Sequence, residues 1–293
     1  MKILQGGAPK CGNFWLYQIL QQILKRSGQA CGSFIEKQPI YKLAKEWDLN
    51  YPEQAQIDVL EVTDLQLAYR ISSIFKMPIE NFDQYVDQSS HVWTHSPICK
   101  RSQEVFKIFD KYIYIIRDPR DRAISASKYY CSPYMLKYFP QEEKNPETYL
   151  DKNFEQLMHE WVWQVYDHLR YNRQYNIHII FYENLISSFQ QELESLLKYL
   201  QVNLEENEKY KLEESVSFDT LKIKNPKHLN KGTFGYWKDQ LTESQTLLAN
   251  KIAGPLMNLL GYPLLEGEKL SKIEIKENPD YEALRLEIIR SQQ

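Results

Sequence analysis

Three places in the chain carry side chains of the right type and spacing for anion chemistry. The first is Gly7-Ala8-Pro9-Lys10-Cys11-Gly12-Asn13-Phe14-Trp15. A glycine turn that opens a helix gathers unpaired backbone N–H groups and the positive end of the helix dipole, a physical trap for phosphate. Lys10 adds a full charge. The spacing is not that of G-x-x-x-x-G-K-[ST], which needs lysine at 13 and a hydroxyl at 14, where Asn13 and Phe14 stand. The hydroxyl that would bind Mg²⁺ is missing, which weakens a kinase or NTPase reading. Taken alone, the turn is equally a surface loop with a solvated lysine.

The second place is Arg117, directly behind the apolar run Tyr112-Ile113-Tyr114-Ile115-Ile116, with Ser125 eight residues on. An arginine there sits at the carboxyl edge of a parallel sheet, where α/β folds bind ligands. The plain alternative is a surface ion pair with Asp118 or Asp121. The third is His95, in His91-Val92-Trp93-Thr94-His95-Ser96-Pro97. An imidazole titrates close to neutrality and suits proton removal, although a lone histidine is usually structural. His91 and His95 would meet on a helix and could then hold zinc, but Val92, Trp93, Thr94 and Pro97 favour extended chain, and no carboxylate lies between the two.

These residues need a frame that brings them together. A short apolar run at 2–5, the turn, and a stretch with Leu16, Ile19, Leu20, Ile23 and Leu24 at helical spacing read as strand, loop and helix, with Gly28 at the C-terminal cap. The pattern recurs at 112–116 with a helix through Tyr130, and at 177–181 (IHIIF) with a helix over 183–200. Strands alternating with helices imply a parallel sheet covered on both faces. Residues 147–173 form one long amphipathic helix in this reading, 222–237 a loop, and 280–290 a helix within a charged tail.

Pro9, Lys10, Gly12 and Trp15 stand in register with P-K-S-G-T-T-W, a signature of the cytosolic sulfotransferases, which the first loop resembles. Arg117-Asp118-Pro119-Arg120-Asp121 with Ser125 resembles that family's R-N-P-K-D-x-x-x-S. Phe181-Tyr182-Glu183-Asn184-Leu185 is similar to its Y-E-D-L, and Lys231-Gly232-Thr233-Phe234-Gly235-Tyr236-Trp237-Lys238 to R-K-G-x-x-G-D-W-K. Four motifs in the family's order span most of the chain. The resemblance implies an α/β fold related to P-loop NTPases, one domain over 1–264 with a charged, partly helical tail at 265–293, and transfer of a sulfonyl group from 3′-phosphoadenosine-5′-phosphosulfate (PAPS), leaving PAP.

The same resemblance assigns roles. Lys10, Cys11, Gly12, Asn13, Phe14 and Trp15 would hold the 5′-phosphosulfate, and Arg117 and Ser125 the 3′-phosphate, with Lys231 and Gly232 closing over it. Trp15 and Phe218, in Val216-Ser217-Phe218-Asp219-Thr220-Leu221-Lys222, would sandwich adenine, with Ser217 and Tyr182 beside it. His95 would be the general base, and Lys10 would offset charge growing on the leaving oxygen. No metal is required. Several positions depart from the family: Phe14 and Asn13 replace hydroxyl residues, Trp93 a lysine, Val216 a threonine and Asn230 an arginine, each expected to weaken donor binding or turnover. A dimer motif after Lys238 is only partly present, so a monomer or weak homodimer is expected.

Bulk properties limit the partners. The balance of 36 basic and 39 acidic residues, net charge −3, draws the protein neither to nucleic acid nor to an anionic membrane. Four scattered cysteines fit a reducing cytoplasm, and no apolar run approaches a membrane span. The acceptor is not legible beyond a small molecule with a hydroxyl or amine. Tyr129, Tyr130, Tyr134, Tyr138 and Phe139 are expected near the pocket mouth, which would suit an aromatic or lipophilic one. Two other readings stay open: a nucleotide kinase on the same architecture, and a non-catalytic nucleotide-binding homologue.

Overall fold

The apolar runs align edge to edge into one seven-stranded sheet, in a computed structural model that describes residues 1–226, 232–265, 273–276 and 279–293. Strands β1 (Ile3–Gly7), β2 (Asp58–Val62), β3 (Leu67–Ile71), β4 (Phe75–Pro78), β5 (His91–Thr94), β6 (Lys111–Ile116) and β7 (Ile177–Phe181) lie in the order β4-β3-β2-β5-β1-β6-β7. β1 is central, parallel to β5 through Ile3 and His91 and to β6 through Gly7 and Ile115. β2 and β7 continue the parallel set, while β3 and β4 fold back antiparallel at one edge. The expected α/β domain with a mainly parallel sheet is found. Its antiparallel edge was not expected, because residues 58–78 alternate apolar and polar over short runs in which no helix intervenes to signal a crossover.

Helices cover both faces, among them α1 (Asn13–Arg26), α2 (Pro119–Tyr130), α3 (Pro146–Arg170), α4 (Tyr182–Ser187), α5 (Phe189–Leu200), α6 (Glu206–Val216), α7 (Phe218–Lys224), α8 (Glu243–Leu260) and α9 (Tyr281–Gln292), with further short helices between. Successive strand residues point to opposite faces. Leu4, Tyr112 and Tyr114 therefore join Phe154 and Trp161 of α3 in one core, while Ile3, Ile113 and Ile115 join Leu16 and Ile23 of α1 in the other. Each such aliphatic side chain contributes about 1.5–3 kcal/mol by leaving water.

Local departures from the sequence reading have local causes. The helix expected over 183–200 splits at Ser188, whose backbone leaves the helical region (φ −149°, ψ 47°). The expected loop at 222–237 begins inside α7, which Ser217 starts by accepting a hydrogen bond from the Thr220 N–H. His91 lies in a strand, where Gln5 and Gln21 occupy its two ring nitrogens. The charged segment after residue 264 returns to the body of the protein: Ile273, Leu284 and Ile288 are buried in the α3–α8 core, and the Tyr166 hydroxyl donates to the Tyr281 carbonyl at 2.8 Å. Among the described residues no helix is long and apolar enough to cross a membrane.

Candidate active site

Strand β1 runs without a break into the first loop, and two residues there take left-handed backbone geometry, Lys10 at φ 71° and Gly12 at φ 95°. Only glycine fits at 12, since an added Cβ would stand 2.5 Å from the Tyr182 ring. Asn13 braces the turn from within: its side-chain amide donates to the Ala8 carbonyl at 2.8 Å, and its own carbonyl accepts from Gln5 at 2.7 Å. Arg122 on α2, almost wholly buried, props the outside of the turn by donating to the Pro9 carbonyl at 3.1 Å and to the Leu157 carbonyl at 2.7 Å. The loop is thus held open by its neighbours and aimed at one cavity of about 860 Å³.

Lys10, Gly12 and Asn13 line that cavity together with Phe14 and Trp15. The Lys10 ammonium rests 4.2 Å from the centre of the Tyr129 ring. Burial, with help from the Arg117 charge, lowers its pKa to about 8. Cys11 turns the other way. Its thiol is fully buried in the core, and burial pushes it up to about 11, so that side chain plays no part in the cavity.

Arg117 enters the cavity from the end of β6. Its guanidinium donates to the Lys10 carbonyl at 3.3 Å, the Thr233 carbonyl at 3.2 Å and the Tyr236 hydroxyl at 3.0 Å, and lies 4.2 Å from the centre of the Tyr182 ring. Its Nε is buried without a hydrogen-bond partner among the described residues. It is not paired with Asp118, whose carboxylate is taken by Arg120 at 2.7 Å. Ser125 of α2 lines the same cavity.

His95 stands just past the end of β5, opposite the first loop. Nδ1 lies 2.6 Å from the Gly7 carbonyl oxygen, which can only accept, so the ring proton is on Nδ1 and Nε2 carries a lone pair. Gln164 of α3 fixes the backbone by donating to the His95 carbonyl at 2.9 Å. Burial lowers the imidazole to about pKa 4 against the pull of the Gly7 hydrogen bond, and the charges of Lys10, Arg122 and Arg70 push the same way as burial.

The third wall comes from later in the chain. Trp15 is tied by its indole N–H to the Val216 carbonyl at 2.8 Å and meets Tyr182 edge-on. Phe218, Tyr182 and Gly232 line the cavity, whereas the Ser217 side chain is used up in capping α7. Lys231 and Asn230 lie outside the described residues. Of the tyrosines expected at the mouth, Tyr129 and Tyr130 line the cavity, and Tyr134 bonds to Ser72 beside it. Phe139 is exposed.

Sequence reasoning missed the clasp that holds the late loop. Asp121 of α2 accepts from the Gly235 N–H at 2.5 Å and the Trp237 N–H at 2.9 Å, and its carbonyl accepts from the Tyr236 hydroxyl at 3.0 Å. Burial and the nearby Asp118 raise its pKa to about 6. A second acid on the same side, Glu183, accepts from the Asp118 N–H and the Tyr262 hydroxyl, and burial raises it to about 7. Nothing in the spacing of Asp121 and Tyr236 announced that they would meet.

Known proteins resemble this chain in sequence and in fold. The sulfotransferase domain model matches residues 2–261. The chain is 24% identical to mouse sulfotransferase 2A6 over 185 residues, 58% of this chain and 64% of that protein. It is 28% identical to rat sulfotransferase 1 family member D1 over 175 residues, 53% of this chain and 57% of that one. It therefore spans less than two thirds of the length of these relatives. A crystal structure of retinol dehydratase with retinol and PAP superposes with a TM-score of 0.59 at 17% identity, covering 85% of this chain and 79% of the other, and shares the fold. Because the domain model runs from β1 through α8 and takes in every wall of the cavity, the chain belongs to the sulfotransferase family.

Proposed function

We propose that this protein moves the sulfonyl group of PAPS to the hydroxyl or amine of a small, lipophilic acceptor, with His95 as general base. The observation that carries the reading is the tautomer of His95: the Gly7 carbonyl holds the proton at Nδ1, which leaves Nε2 basic in the cavity that Lys10 and Arg117 share. The residues fit the donor. A turn at Gly12 too tight for any Cβ, a recessed Lys10 and a buried Arg117 whose Nε has no hydrogen-bond partner among the described residues suit two separated phosphate groups, and Trp15 and Phe218 offer flat surfaces for a base.

When bound, PAPS supplies an activated sulfonyl group on a phosphate leaving group. His95 then takes the acceptor's proton at Nε2, and the Gly7 carbonyl stabilises the imidazolium that results. Lys10 brings positive charge to the place where a departing phosphate needs it. Tyr182 and Tyr236 orient Arg117 for the second phosphate.

The test uses labelled PAPS, a panel of phenols and aliphatic alcohols, and calorimetric binding of PAP. The wild-type protein is expected to label an acceptor in the presence of EDTA, and His95→Ala to lose about a hundredfold or more of turnover while still binding PAP. PAP binding with no transfer to any acceptor would leave a binding-only homologue. Phosphoryl transfer from ATP that needs Mg²⁺ would favour the kinase reading instead.

A further inference from the structure

A further charged wall of the cavity is formed by β2 and β3. Val59 on β2 faces Arg70 on β3 in the sheet register, and Val59, Glu61 and Arg70 all turn toward the cavity. Arg70 Nη1 donates to Glu61 at 2.6 Å, and Lys76 from β4 bonds the other oxygen of the same carboxylate. Two cations share one anion, so this wall carries one positive charge in excess. The Glu61 bond also fixes the guanidinium, leaving its Nε edge for something else. That Nε is buried and has no hydrogen-bond partner among the described residues.

Building on the sulfonyl-transfer reading, we infer that the acceptor carries an anionic group, such as a carboxylate, that docks on Arg70 while its hydroxyl faces His95. An uncharged sterol-like acceptor would leave that excess positive charge without a counterion in the cavity, and a cation shut away from water without one is costly. An amine would meet net positive charge, with Glu61 already committed twice. A carboxylate matches the planar edge that Glu61 leaves open, and the pairing is charge-assisted. Both ends of such a molecule face the same cavity, since His95 and Arg70 line it together.

Three phenols with one ring and one hydroxyl separate the possibilities: 4-ethylphenol, tyramine and 3-(4-hydroxyphenyl)propionate. The wild-type kcat/KM is expected to be about tenfold or more higher for the propionate than for ethylphenol, with tyramine lowest, as befits one charge-assisted contact. In Arg70→Gln the propionate-to-ethylphenol ratio falls by about tenfold. Glu61→Gln frees a second cation and raises that ratio, an opposite effect that misfolding cannot mimic. A ratio near one in the wild type, or one that neither substitution moves, overturns the inference while transfer to ethylphenol keeps the sulfotransferase reading intact. Absence of transfer to all three, with PAP bound, sinks both.

Discussion

The Nδ1 atom of His95 lies 2.6 Å from the carbonyl oxygen of Gly7, so the residue that ends β1 decides which face of the imidazole is basic. The first loop and the imidazole, proposed here as phosphate site and base, are therefore positioned by a single turn of backbone. A movement of that turn reaches both.

The pH profile follows from the two recessed groups. The proposed mechanism needs neutral His95 and cationic Lys10. With His95 lowered to about 4 by burial, its basic form persists as pH falls from neutrality to about 4. With Lys10 lowered to about 8 by burial and Arg117, its charge is lost as pH rises past about 8. The kcat/KM for PAPS is expected to be bell-shaped with limbs near those two values, since this ratio reports the free enzyme. An acid limb at the ordinary histidine value would contradict the burial of His95.

Gly12→Ala tests the cradle. The left-handed backbone costs an L-residue about 1–2 kcal/mol, and the new methyl meets the Tyr182 ring. Relief requires the turn to move, which also disturbs the Arg117 contact with the Lys10 carbonyl. Calorimetry should show PAP affinity lower by about tenfold or more, at 1.4 kcal/mol per tenfold, with the far-ultraviolet circular dichroism unchanged. An unchanged affinity would mean the loop does not hold the donor.

Asp121→Asn tests the clasp. One carboxylate satisfies the Gly235 and Trp237 N–H groups, and an amide can accept with only one of its two ends. The loop bearing Gly232 and Tyr236 is expected to loosen, raising KM for PAPS about tenfold with a smaller effect on kcat, the pattern of lost uniform binding. Steady-state kinetics with saturating acceptor separates the two constants. An equal loss in both would instead place Asp121 in the chemical step.

Ile288→Ala tests the docking of α9. Ile288 is fully buried against α8, and truncating it leaves a cavity costing about 2–5 kcal/mol. The melting temperature should fall while PAP affinity measured well below it stays unchanged, because α9 forms no wall of the cavity. A normal melting temperature would show that the helix adds nothing to the fold.

How much of this was legible depended on how local the signal was. Strand, turn and helix at 3–26, and the strand before Arg117, follow from apolar periodicity and glycine placement within a dozen residues, and both were read correctly. Lys10, Arg117 and His95 were legible because each stands at the end of such a run, and the cavity gathers all three. Cys11 and Ser217 sit in the expected motifs, but a motif fixes backbone position and not side-chain direction. One faces the core and the other caps a helix. The Asp121 clasp and the Arg70–Glu61 pair join distant segments or adjacent edge strands, and no short-range pattern marks either. The hairpin that carries Arg70 was missed for the same reason.

Strand β1 is the middle one of the five parallel strands, β2-β5-β1-β6-β7. Its partners, β5 and β6, emerge only after the long excursion through the β2–β4 edge, so Ile3 must wait for His91 and Lys111 before it can pair on either side. Such non-local closure is slow, and it places assembly of the molecule's centre late. Gly7, whose carbonyl orients His95 and whose strand aims the loop, has no defined position until both neighbours have arrived. On the proposed reading a half-assembled sheet cannot capture PAP, so PAP stabilises the finished sheet alone.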